Sequence, residues 1–285
     1  MSSTPQKILG VDFTSAPSRR KAITVAHAAL VGNRLTVATI DRLASFAEFE
    51  ALLRLPEPWI GGFDFPFGLP RELVITLGWP LDWPEMVRHT QSLGKAAFKD
   101  ALNAVRESRP MGARYIARRG DAAAGSSSPM KLVNPPVGLM FFEGAPRLLA
   151  AGTCVLPCAP SQDSRIALEA YPGYLARKIT PASYKKDGPE GARPDRHAAR
   201  VEIIEAITSR HASVAPLQVV LSTTLKSLCI DDGSGDCLDA VLCAVQAAIA
   251  CVQITTTRSA GRGDYSIPAD ADPLEGWIVS TSAFR

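Results

Sequence analysis

The sequence predicts an α/β fold, a mixed sheet flanked by helices, on three observations. An apolar run from Lys7 to Phe13 carries Asp12 near its end and is broken by Thr14, Ser15 and Pro17. Two further runs follow as a hairpin, and a capped helix then leads into another buried run, Trp59 to Phe65. A meander joined through a helix to a parallel strand forms a right-handed crossover, which puts the fourth strand in the same sheet, beside the first.

Each element has its own local reason. Ala22 to Leu30 and Leu35 to Ile40 are rich in Ile, Val, Thr and Leu, and Gly32 and Asn33 between them supply hairpin chemistry. Ser45 stands three residues before Glu48, a capping box, and Phe46, Phe49, Leu52 and Leu53 repeat at helical spacing until Pro56. Trp59 to Phe65 carries Asp64 at its end and is stopped by Pro66, which has no N–H for a central ladder. From Leu69 to Pro160 the periodic patterns shorten and Pro and Gly become frequent, so 69–160 reads as an insertion whose best helix runs from Pro84 to Glu107. Arg165 to Ala170 resumes a strand that carries Glu169, and Ala198 to Ser209 forms a helix. Asp236 to Val252 forms the last helix, with a broad apolar face and with Asp236 and Asp239 on one side of its first turn. The tail after Thr255, with Gly261, Gly263 and then Trp277 to Ser280, is expected to cover the surface.

Composition narrows the classes. The chain has 285 residues, 46% of them hydrophobic, and 31 Lys plus Arg against 28 Asp plus Glu, a formal charge of +3. Its longest apolar stretch, Leu238 to Val252, is interrupted by Asp239 and Gln246 and is shorter than the roughly 20 apolar residues of a bilayer span. No membrane partner is therefore expected, and the polar N-terminus, unlike a signal peptide, implies a cytoplasmic protein. Six Cys and four His without a CxxC pair argue against both a disulfide scaffold and a structural zinc site. No phosphate loop of the GxxxxGK[ST] type, no GxGxxG after a strand and no Ser, His and Asp nucleophile motif is present.

What remains is a set of carboxylates: Asp12, Asp64 and Glu169 at strand ends, with Asp236 and Asp239 opening a helix. If the strands are neighbours these converge. Clustered carboxylates in a cleft repel one another and must be protonated, paired with bases or neutralised by cations. Hard oxygen ligands suit Mg2+ or Mn2+, and two such ions about 4 Å apart can activate a water and stabilise the leaving oxygen of a phosphodiester. Arg118 and Arg119, with Tyr184 and Lys185, are candidate substrate contacts from loops adjoining the cleft. The bland alternatives are a solvated turn for Asp12 or Asp64, an N-cap for Asp236, a loop-holding ion pair with Arg177 for Glu169, and plain surface for the basic pairs.

The segments GVDFTSA (10 to 16), GFDFPFGLP (62 to 70), LEAYPGY (168 to 174) and DCLDAVLCAV (236 to 245) resemble, in this order, the bacterial family labelled domain of unknown function 429. That family is regarded as predicted nucleases of the RNase H fold. The last segment is also similar to the closing helix of RuvC-type Holliday junction resolvases, where two Asp at this spacing complete the metal site. The resemblance implies one RNase H-like domain over 1–285, interrupted by the insertion 69–160, with a five-stranded mixed sheet of order 3-2-1-4-5. It implies metal ligands at Asp12, Asp64, Asp236 and Asp239, with Asp12 central, and a metal-dependent nuclease acting on nucleic acid by a two-metal carboxylate mechanism. Glu169 matches the family's acidic position and joins the catalytic set. Two other classes remain open: a phosphotransferase of the actin and sugar-kinase superfamily, which would need a second related half, and a non-catalytic nucleic-acid-binding protein with the same fold.

Overall fold

Residues 5–209, 211–256 and 265–281 are described by the computed structural model. β1 (Gln6–Asp12), β2 (Ile23–Val31) and β3 (Arg34–Leu43) form the antiparallel meander, with Gly32 in the left-handed region at the β2–β3 turn. α1 (Phe46–Leu53) starts at the Ser45 cap, whose Oγ accepts the Glu48 N–H at 3.3 Å; the Glu48 carboxylate reaches back to the N–H of Ala44 at 2.8 Å. β4 (Trp59–Asp64) then runs parallel to β1, with Gly10 opposite Gly62 and Asp12 opposite Asp64.

The remaining elements are α2 (Arg71–Thr76), α3 (Trp83–Ser108), α4 (Arg119–Ala124), α5 (Val137–Ala151), β5 (Cys154–Leu156), β6 (Arg165–Glu169) and α6 (Pro172–Ile179). They are followed by α7 (Pro194–Thr208), β7 (Gln218–Val220), α8 (Thr223–Asp231) and α9 (Asp236–Thr256). The sheet is mixed and seven-stranded, in the order β5-β6-β4-β1-β2-β3-β7. It exceeds the five strands expected because β5 and β7, three residues each, extend its two edges. Runs this short carry no periodic signal. The segment 69–160 is more regular than expected: α5 escapes a periodicity reading because Gly144 and Pro146 interrupt it, and α3 is broken by Gly94 at φ +75°.

Strand alternation sorts the two faces. Leu9 and Val11 of β1 and Phe13 just after it, with Trp59 and Phe63 of β4, meet α1, α3 and α5 in an aromatic core, where the Phe13 and Phe65 rings lie 4.6 Å apart. Ile8 and Ile60 point the other way, into a core built around α9 with α6, α7 and α8. Because side chains alternate along a strand, Gly10 and Asp12 share that second face, as do Gly62 and Asp64.

The two glycines let α9 come down onto the sheet. A Cβ on Gly10 would overlap the carbonyl oxygen of Ala240 and the backbone nitrogen of Ala244, and one on Gly62 would overlap the carbonyl oxygen of Cys243. α9 is long and apolar enough to cross a membrane, yet 83% of its most apolar stretch, Asp236–Gln253, is buried inside the protein. The sheet and the flanking helices cover it, so its hydropathy is that of a core helix. The C-terminal segment also departs from expectation. Trp277, Ile278 and Val279 are buried, and the Val279 N–H donates to the Glu169 carbonyl at 2.9 Å, so this part of the tail belongs to the core and not to the surface. Gly261 and Gly263 lie outside the described residues.

Gly10→Ala should destabilise the protein by at least about 2 kcal/mol, because backbone atoms of α9 cannot yield to a methyl group as a flexible side chain would. Gly120→Ala meets only ordinary contacts, from 3.4 Å outward, and should be close to neutral. Urea denaturation of both variants checks the contrast.

Candidate metal centre

Two parallel strands in direct register end on carboxylates, and a helix that the glycines admit lays a third across them. Asp12, Asp64 and Asp239 each offer an oxygen within 4.8 Å of the others. Asp239 is fully buried and Asp12 is 8% exposed, while Asp64 is partly open. Asp239 is held from one side: the Tyr184 hydroxyl donates to its Oδ1 at 2.6 Å and the Lys185 ammonium to its Oδ2. The segment bearing these two residues is itself pinned by Arg200, whose buried guanidinium donates to the carbonyls of Tyr184 at 2.7 Å and Gly191 at 3.1 Å. Among the described residues, nothing donates a hydrogen bond or forms an ion pair to the carboxylates of Asp12 or Asp64.

Asp236 stands outside this triad. Its Oδ1 accepts from the Lys21 ammonium at 2.8 Å, and Lys21 also reaches Asp187 at 3.2 Å. Lys21 carries no signal in the sequence, since only the hairpin register brings the β1–β2 connection back over the end of β1. Four carboxylates, those of Asp12, Asp64, Asp236 and Asp239, thus face two ammonium groups, those of Lys21 and Lys185, which leaves two negative charges without a partner.

That imbalance raises the affinity of the carboxylates for protons. Burial pushes Asp12 well above the usual carboxylate range, the charges of Asp239, Asp236 and Asp64 push it further, and Lys185 opposes them. Asp64 is pushed up to about 7, first by burial and then by Asp239 and Glu169, again against Lys185. Asp239 is raised by burial while Lys185 and Tyr184 pull it down. These directions are those of carboxylates that are buried together with too little positive charge beside them.

Glu169, expected among the catalytic carboxylates, lies outside the triad, and Arg118, expected as a substrate contact, is buried against it at the wall of the same cavity. The two form a buried bidentate pair, with Arg118 Nη2 donating to Glu169 Oε1 at 2.6 Å and Nη1 to Oε2 at 2.9 Å. Arg118 also donates to Asp121 from Nε at 3.0 Å and Nη2 at 2.7 Å, and Glu169 Oε2 accepts the N–H of Phe67 at 2.9 Å. All the guanidinium nitrogens are therefore engaged, and the group ties the loop after Asp64 to the insertion. This is the loop-holding ion pair foreseen for Glu169, made with Arg118 in place of Arg177. Arg119 is exposed and pairs with Asp270 at 2.9 Å. Tyr184 and Lys185, expected as substrate contacts, lie beside the triad but are engaged with Asp239. A cavity of about 830 Å³ opens over the site, lined in part by Asp12, Asp64, Asp236, Lys21 and Lys185.

Fold and site together define an α/β protein with an acid cluster where two parallel strands end beneath a core helix. The chain belongs to the family described as protein of unknown function (DUF429), whose model matches residues 10–272 and so takes in every residue of the cluster. No curated protein and no solved structure matches it.

The raised Asp64 fixes the sign of a pH effect. Between the ordinary carboxylate value of 3.8 and about 7 the folded state retains a proton that the unfolded chain has released, so stability falls as pH rises through that window. In chelator-treated protein, Asp64→Asn should raise the melting temperature at pH 8, by a few degrees in order of magnitude, and have little effect at pH 4. Differential scanning calorimetry across that range checks it.

Proposed function

We propose that this protein is a metal-dependent phosphodiesterase that hydrolyses nucleic acid, built on an RNase H-like core. The observation that carries the reading is the pair of carboxylates, Asp12 and Asp64, to which no described residue donates a hydrogen bond or forms an ion pair, set against Asp239 at the end of a cavity. The donor set fits Mg2+ or Mn2+: it consists of carboxylate oxygens only, and two uncompensated negative charges match one divalent cation. Asp12, Asp64 and Asp239 would hold such an ion, and a second would draw on Asp236 by replacing Lys21. Bound there, the cations supply Lewis-acid activation of water and neutralise phosphate charge.

The other residues have separate work. Tyr184 and Lys185 orient the Asp239 carboxylate, and Arg200 holds the segment that carries them. Lys21 and Lys185 border the cavity and provide positive charge for a phosphodiester. The Arg118–Glu169 pair holds the backbone that follows Asp64. Strand order adds support: with β5 taken as part of the insertion and β7 as an edge addition, β3-β2-β1-β4-β6 reads as the 3-2-1-4-5 order of an RNase H-like sheet.

The test is a cleavage panel of single-stranded, duplex, hybrid and junction substrates with Mg2+ or Mn2+, run beside Asp12→Asn. The wild type should cut at least one substrate, and the variant should lose that activity about 100-fold or more, together with most metal binding by calorimetry. Cleavage that survives Asp12→Asn would remove the site from the reaction.

A further inference from the structure

The cavity over the carboxylates has a second character that phosphate and metal chemistry leave unused. Its wall from the insertion is apolar, made by Pro135, Pro136, Val137 and Met140, of which Pro135 is exposed and the others half-buried. Another side carries Tyr171, which caps the start of α6, and Arg177 from its last turn. The Arg177 guanidinium lies 5.1 Å from the centroid of the Tyr171 ring, and its Nη1 donates to the Tyr171 hydroxyl at 3.1 Å. It is anchored there by donating to the carbonyls of Ala124 at 2.8 Å and Gly125 at 3.2 Å. Gly173 leaves room for the ring, since a Cβ at that position would meet Tyr171 at 2.9 Å. Arg177 is exposed and Tyr171 is partly so.

One cavity thus combines a polar floor, able to take a phosphate, with an apolar wall and a fixed pair of an aromatic ring and a guanidinium. A duplex offers little to the second part, because its bases are stacked inside and its outer surface is phosphate and sugar. Unpaired bases offer their faces, and these stack on aromatic rings and on arginine planes. The volume of about 830 Å³ lies within the roughly 300–1,000 Å³ of sites that enclose a small ligand, whereas specific duplex interfaces spread over about 1,000–2,500 Å² of protein surface.

We propose that the ligand of this site is an unpaired nucleotide unit, at the end of a single strand or in a short oligonucleotide. Its base lies between the Tyr171–Arg177 pair and the Pro136–Met140 wall, and its phosphate faces Lys21, Lys185 and the carboxylates. The inference rests on the phosphodiesterase reading for what happens to the phosphate, but not for how the base is held.

The experiment measures cleavage by the full-length wild-type chain with Mn2+, and binding by Asp12→Asn, for three probes: a dinucleotide, a short single-stranded oligonucleotide and the blunt duplex of the same sequence. Tyr171→Ala and Arg177→Ala are compared on each probe, the latter altering an exposed position that the core does not need, and Tyr171→Phe serves as the conservative control. The single strand should be bound and cut about tenfold or more better than the duplex, and Tyr171→Ala and Arg177→Ala should each erode that preference severalfold while Tyr171→Phe retains it. The dinucleotide tells whether one unit suffices or a strand end is required. Cutting of duplex as fast as single strand, with both alanine variants unchanged, would overturn the inference and leave the phosphodiesterase reading standing. Binding of single strands that depends on Tyr171 and Arg177, without cleavage of any probe, would support the inference and overturn that reading.

Discussion

The close approach of α9 to the sheet is the contact on which the arrangement depends. Gly10 and Gly62 are paired across β1 and β4, and each stands two residues before an aspartate on the same face. Where they remove their side chains, the backbone of α9 at Ala240, Cys243 and Ala244 fills the space, and Asp239 comes to rest against Asp12 and Asp64. A larger residue at either glycine would lift the helix and open the triad. Packing in the core and geometry at the site are therefore one constraint, set by two missing methyl groups.

The same approach creates an electrostatic conflict. Burial raises the proton affinity of Asp12, Asp64 and Asp239, and each charge penalises the others. The protein treats its acidic residues near the cavity in two ways. Asp236, Glu169 and Asp121 are given basic partners, Lys21 for the first and Arg118 for the other two. Asp12 and Asp64 are given none among the described residues, although Lys21 is close by and could have served. Buried charges without a partner are expensive, and leaving these two bare while the surrounding carboxylates are paired is what the proposed cation site would explain.

Much of this was legible in the chain because the signals are local. Alternation, the Gly32–Asn33 turn, the Ser45 cap and the apolar face of α9 each depend on residues within a turn or two, and they give β1 to β4, α1 and α9. The role of Gly10 and Gly62 was not legible, because only the packing of α9 shows that a Cβ at either position would meet its backbone. What the chain hides is pairing at long range. Glu169 has the same strand-end position as Asp12 and Asp64, and only the arrival of Arg118, 51 residues earlier in the chain, gives it the basic partner that they lack. Lys21 and Arg200 are ordinary basic residues until the hairpin register and the packing of α7 bring them to the site. β5 and β7 are too short to have a period, and α6 is masked by Pro172 and Gly173, which read as a turn but here open a helix.

The central claim is that the triad of Asp12, Asp64 and Asp239 is a cation site. Anomalous diffraction at the manganese edge, from crystals of the full chain grown with Mn2+, tests it most directly. A strong peak within bonding distance of oxygens from all three residues is the predicted result. A map with no peak there, or with manganese only at other positions while the Lys185 ammonium still rests on Asp239, would contradict it.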